Sequence, residues 1–170
     1  ARWSSTRAPL SSVIVRLVTI TEWPSRGAGS GESTWVFGSS NLSTLIRVGS
    51  DRQVTVVKTM DERLLAHPAG ALTEGDDGFL YGVTSGAQYE VIRITGYGTV
   101  FRTNVQGEAA IVHEFAGGPL DGATPTGSLA KAGDGSFLGL TSGGGVAGLG
   151  TVFRLTPSGD LTILHSFGLV

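Results

Sequence analysis

A chain of 170 residues with a net charge of −2, 27 glycines and no cysteine excludes several classes at once. It lacks the basic footprint of a nucleic-acid binder, the thiols of a disulfide framework or Cys-ligated metal, and any apolar run near the ~18 residues that cross a membrane as a helix. Hydrophobic residues make up 40% and charged residues 15%, too apolar and too weakly charged for disorder and suited to many short strands joined by glycine turns.

Taken in order, Ala1 to Pro9 is a polar arm. Val13 to Trp23 is apolar-rich and ends before Pro24; it reads as strand, the remnant of a partial repeat. Residues 25–33 are rich in Gly and Ser and read as loop. Trp35-Val36-Phe37-Gly38 then echoes Leu80-Tyr81-Gly82 and Phe137-Leu138-Gly139, and Gln53 to Met60 echoes Asp160 to Phe167. The echo marks 35–60 as a diverged repeat, with Arg52 where a turn glycine stands in the later copies.

The later copies are clear. Gly98-Thr99-Val100-Phe101-Arg102 returns 52 residues on as Gly150-Thr151-Val152-Phe153-Arg154, and nine of the eighteen residues from Gly98 to Phe115 are identical to those from Gly150 to Phe167. Leu72 to Gly86 matches Leu129 to Gly143 at a spacing of 57. The five extra residues fall between Gly86 and Gly98, as a surface loop allows. Repeats therefore span 70–115 and 127–167, and the whole chain is one repeat domain with residues 1–34 as arm and partial repeat. A recurrence of this kind is the mark of a repeat architecture.

Each full copy offers four strands. In the third they are Ser128 to Ala132, Ser136 to Thr141, Thr151 to Leu155 and Leu161 to Phe167. Asp134-Gly135 and Pro157-Ser158-Gly159 supply the hairpin turns. In the last strand, alternation puts Leu161, Ile163, His165 and Phe167 on one face and Thr162, Leu164 and Ser166 on the other. Four antiparallel strands in about 50 residues make one blade of a β-propeller. The predicted fold is all-β, with propeller-like repeats of four-stranded antiparallel blades: about three blades plus an N-terminal partial blade. So few blades leave faces and edges exposed, and pairing of two chains to share or close one ring covers both ends. A homodimer is expected.

Asp121 to Leu129, Gly133 to Gly145 and Gly150 to Phe167 carry a resemblance. Their pattern resembles the GloVer tandem repeats of bacterial choice-of-anchor surface proteins. The resemblance implies a propeller-like fold and an extracellular or cell-surface setting in bacteria. It implies no activity and carries over no catalytic residues.

No linear motif dictates chemistry. His113 and His165 are repeat-equivalent, with Lys58 in the first copy, and such residues belong between blade faces rather than in one metal site. Ser128 and Lys131 fit the S-x-x-K spelling, but a strand does not give the helical face that pairing needs. Glu74, Asp76 and Asp77 cluster as a calcium site would, yet the third copy does not repeat them. Arg47, Arg102 and Arg154 recur and are expected to pair with carboxylates. No metal or cofactor is expected. Departures from the repeat point to function: Tyr89, Glu90 and Arg93 in the inserted loop, His67 and Asp121 in the connectors. These five are the candidate ligand-binding residues. The leading reading is a non-catalytic binding or assembly module that presents loops to a glycan, peptide or partner chain. The alternative is a small hydrolase, esterase- or glycosidase-like, with His67 or a repeat histidine as base and Asp121 beside it, in a cleft built by loops.

Overall fold

The computed structural model describes residues 34–39, 43–48, 54–59, 68–86, 88–89, 94–104 and 106–168. Among them there are thirteen strands and no helix, so none that is long and apolar enough to cross a membrane. The first sheet is β1 (Thr34–Ser39), β2 (Ser43–Val48) and β3 (Val54–Thr59). The second begins with β4 (Pro68–Glu74) and β5 (Leu80–Thr84). A small hairpin of β6 (Gln88–Tyr89) and β7 (Ile94–Thr95) interrupts it, before β8 (Thr99–Thr103) and β9 (Ala109–Glu114) complete it in the order β4-β5-β8-β9. The third is β10 (Gly122–Lys131), β11 (Phe137–Gly144), β12 (Thr151–Leu155) and β13 (Leu161–Ser166), in chain order. All pairings are antiparallel. The five-residue insertion is thus the β6–β7 hairpin. Each larger sheet is open and separate. The expected strand at 13–23 lies outside the described residues.

The repeated pentapeptide has a physical meaning at every position. Gly98 and Gly150 hold φ of 97° and 101°, a region that costs glycine nothing. An added Cβ would lie 2.3 Å from the Thr84 carbonyl oxygen in one and 2.2 Å from that of Thr141 in the other. Thr99 and Thr151 share hydroxyl hydrogen bonds with Thr84 and Thr141, both 2.8 Å. Val100 and Phe101 point to opposite faces of the second sheet, as do Val152 and Phe153 in the third. Phe101 and Phe153 stand opposite Gly82 and Gly139, whose missing side chains make room for the rings. A Cβ on Gly139 would come within 2.2 Å of Phe153.

The core lies between sheets. Tyr81, Val83, Val100 and Phe115 of the second sheet pack against Leu129, Phe137, Phe153 and Leu155 of the third. Tyr81 meets Phe137 at 4.3 Å between ring centroids, and Phe115 meets Phe153 edge-on at 5.3 Å. Each large side chain so buried contributes about 2 kcal/mol. Polar contacts fasten the inner strands: Ala71 N donates to Ser128 Oγ at 2.7 Å, Thr73 Oγ1 donates to the Leu129 carbonyl at 2.6 Å, and Lys131 pairs with Asp76. The second sheet thus has a leading face toward the third and a trailing face toward the first. β1 packs on β4, and β4 and β5 pack on β10.

The structure corrects three readings. First, strict alternation along the last strand fails. Phe101 pairs with Ile111 but Val100 pairs with His113, and Phe153 pairs with Ile163 but Val152 pairs with His165. One extra residue, Val112 or Leu164, bulges out in each outer strand, and a bulge reverses the faces beyond it. Ile163 therefore packs toward the second sheet, whereas Phe115, past its own bulge, faces the third. The first sheet bulges at the same place, between the Ile46–Val56 and Leu45–Lys58 pairs. Second, Gly38 is opposite Thr44, the position of Thr84 opposite Thr99 and Thr141 opposite Thr151. The Trp35 to Gly38 echo is therefore two residues out of register with Leu80-Tyr81-Gly82. Third, β10 begins at Gly122 and β11 runs on to Gly144, because Gly122 and Ala123 pair with Gly144 and Gly143 before a register shift between Thr126 and Ala130.

Candidate functional site

The connector from β9 to β10 is densely hydrogen-bonded. Asp121 is its centre. Its Oδ2 accepts the Ala116 N–H at 2.8 Å and its Oδ1 accepts the Gly122 N–H at 2.7 Å. The His113 Nε2 lies 3.4 Å from Oδ1, and both side chains are mostly buried. The imidazole packs edge-on against Phe115, with centroids 4.9 Å apart. A carboxylate bonded by two backbone amides and one imidazole acts as a clamp on the loop.

The clamp joins three loops. The Gly145 N–H donates to the Gly118 and Asp121 carbonyls at 2.8 and 2.9 Å, tying the connector to the β11–β12 loop. The Thr124 N–H donates to the Tyr97 carbonyl at 2.7 Å, and Tyr97 lies over Gly117, where an added Cβ would be 3.2 Å from the ring. Thr124 holds φ of 53°, uncommon for a β-branched residue and a sign that its surroundings fix it. From this bonded platform aliphatic side chains project outward. Leu120 is 89% exposed and Val146 79%, with Leu149 and Tyr97 about half exposed.

The expected site residues divide. Asp121 is at the centre of this platform. Tyr89 is in β6, opposite Ile94 in the inserted hairpin, away in sequence from the connector. His67, Glu90 and Arg93 lie outside the described residues. His113, assigned to a sheet face on repeat logic, packs against Phe115 and also contacts the loop Asp121. His165 has only its Phe167 neighbour in common with it, edge-on at 5.0 Å. Leu120, Val146 and Leu149 were missed. They carry no reactive group, and their signal was only that they are aliphatic residues inside Gly-rich loops.

Several of the remaining candidates have structural partners. Ser128 and Lys131 each bond the second sheet, and not each other. Asp77 accepts the Tyr81 hydroxyl at 2.7 Å and the Phe79 N–H at 3.2 Å. Burial of Tyr81, reinforced by its bond to Asp77, raises the phenol pKa above its usual value. Arg154 pairs with Asp134 and donates through Nε to Ser136 Oγ at 2.8 Å. Arg102, its equivalent, instead lies over the Phe79 ring at 4.7 Å. Among the described residues no group of three or more His, Asp or Glu is placed to hold a metal.

The family model of the Gloeobacter/Verrucomicrobia repeat matches residues 31–170. No curated protein matches the chain.

Proposed function

The chain belongs to the Gloeobacter/Verrucomicrobia repeat family, and for it we propose a non-catalytic binding module, propeller-like in arrangement and set at the bacterial cell surface. Its recognition surface is the loop platform around Asp121, and its ligand is a peptide segment with apolar side chains. One observation carries this reading: Leu120 and Val146 are held almost fully in water by loops whose backbone is bonded from sheet to sheet. A preorganised platform pays little ordering cost on binding. Aliphatic projections favour a peptide over a glycan, which would ask for more polar groups beside Tyr97.

The His113–Asp121 contact is what favours the hydrolase reading. Both carboxylate oxygens already accept backbone amides, which suits a clamp better than a catalytic partner. The test is selection from a displayed library of short random peptides, with a glycan array in parallel. Peptides rich in Leu, Ile or Phe should be enriched, and Leu120→Asp with Val146→Asp should lower their binding at least ~10-fold. Enrichment on the glycan array alone, or turnover of chromogenic esters or glycosides that His113→Gln abolishes, would overturn the proposal.

A further inference from the structure

Tyr97 and Leu149, two of the exposed side chains on the loop platform, are repeat equivalents: each stands directly before the glycine of the repeated pentapeptide, Gly98 or Gly150. They are 48% and 47% exposed. The backbone beneath them is built alike. Both glycines hold positive φ, and both carbonyls accept an N–H from the end of the outer strand, Phe115 at 2.9 Å and Phe167 at 3.0 Å. Display of a large apolar side chain at this point is therefore a property of the repeat, and it recurs from one sheet to the next.

The connector fills the interval between them. The Tyr97 ring lies over Gly117, and the Gly118 and Asp121 carbonyls accept the Gly145 N–H. Leu120 and Val146 project from the two loops joined in this way. These side chains belong to one bonded surface that runs from the second repeat to the third. The surface is uncharged. Loops 96–98, 115–121 and 145–150 hold a single charged residue, Asp121, and its carboxylate is occupied by the Ala116 and Gly122 amides. An uncharged partner matches it, because a charged group laid against it would lose water without gaining a counter-ion.

We propose that the peptide bound here lies across both repeats in the polyproline II conformation, with an apolar side chain at every third position and no charge between them. The proposal rests on the peptide-binding reading and specifies its ligand. Sheets packed face to face stand about 10 Å apart, which sets the interval at which equivalent positions recur. A polyproline II chain rises ~3.1 Å per residue and returns to the same side every three residues, after about 9 Å. A β-strand returns after about 7 Å or about 14 Å and misses the interval on either side. A helix comes close only after two turns, about 11 Å, and so short an isolated helix is marginal in water. Tyr97 adds the aromatic face on which polyproline II segments dock.

Fluorescence anisotropy of the full chain with labelled synthetic peptides tests it. Each peptide carries two leucines in an uncharged background of Pro and Gln, placed two, three, four or seven positions apart. The three-residue spacing should bind at least ~10-fold more tightly than each of the others. A Lys or Asp between the two leucines should weaken that peptide about 10-fold. Tyr97→Ser and Leu149→Ser should each erase the preference for spacing, with strand content retained in circular dichroism because both side chains are exposed. Tighter binding at two, four or seven, or equal binding at all spacings, overturns the proposal and leaves the peptide-binding reading standing. So does a preference that survives both substitutions, since the contacts then lie elsewhere. If none of the four peptides binds while the displayed library still yields apolar binders, this proposal alone fails. If the library yields none either, both fail together.

Discussion

The second and third sheets were built from nearly the same instructions and ended in different surroundings. Both carry the Gly-Thr-Val-Phe-Arg strand, the bulged outer strand and the closing phenylalanine. Phe115 is buried against Phe153, and Phe167 faces water. Local geometry is therefore a property of the repeat itself, while burial is conferred by the neighbour. That is how stacked repeats distribute stability, part within a unit and part at each interface. The bulge makes it work. It lets β9 and β13 turn their first residues toward the preceding repeat and their last toward the following one, which an unbroken pleat does not permit.

The comparison breaks most sharply at the two phenylalanines. Phe115→Ala should cost about 3–5 kcal/mol, the range for an aromatic ring removed from a packed interior. Phe167→Ala should cost less than about 1 kcal/mol. Urea denaturation of the two variants measures both. Equal costs would mean that Phe167 is as well covered as Phe115, and the division into covered and open faces would fail.

The two hydroxyl pairs sharpen the comparison at the next level. Thr141 and Thr151 are both buried, with the Thr151 N–H also donating to Thr141 Oγ1 at 3.0 Å. Thr84 and Thr99 repeat the arrangement, with 3.1 Å for the amide bond. Thr141→Val keeps the shape and removes the acceptor of that amide, so it should cost about 1–3 kcal/mol. Thr84→Val should cost less within that range, since Thr99 is less deeply buried and water can replace part of the loss. Thermal unfolding of the two variants gives the order, and a reversed order would show that depth of burial is not what sets the cost.

Much of this organisation was legible because glycine and hairpin chemistry are local. Asp134-Gly135 announced its turn, closed by the Gly135 N–H to the Ala132 carbonyl at 3.1 Å; the insertion between Gly86 and Gly98 announced only a surface loop, and its β6–β7 pairing is seen in the structure alone. The bulge was not legible, because its extra residue is an ordinary Val or Leu with no positive φ to demand a glycine. The first repeat's register was misread for a related reason. Trp35 to Gly38 resembles a core strand in composition, and only the pairing of Gly38 with Thr44 fixes its position. Asp121 stood out as a polar residue in a connector. Its contact with His113 did not, since repeat equivalence placed that histidine with His165.

The smallest expected difference between the two sheets is one of pH. Tyr81 in the second sheet has Leu138 as its equivalent in the third, so only the second sheet carries a phenol at this place. Burial first, then the hydroxyl bond to Asp77, raises its pKa in the folded chain. Below about pH 10 the phenol is protonated in both folded and unfolded chains and its contribution is fully present. Above that, the unfolded chain releases the proton while the folded chain still holds it, so unfolding gains and stability falls until the folded phenol also titrates. Tyr81→Phe should lower stability by about 1 kcal/mol near neutrality through loss of the hydroxyl bond, and should flatten the decline above pH 10. Urea midpoints of the two proteins should therefore converge as the pH rises. Parallel curves would show that the alkaline decline comes from groups other than this phenol and that its burial between Phe137 and the rest of the interface does not disfavour the phenolate.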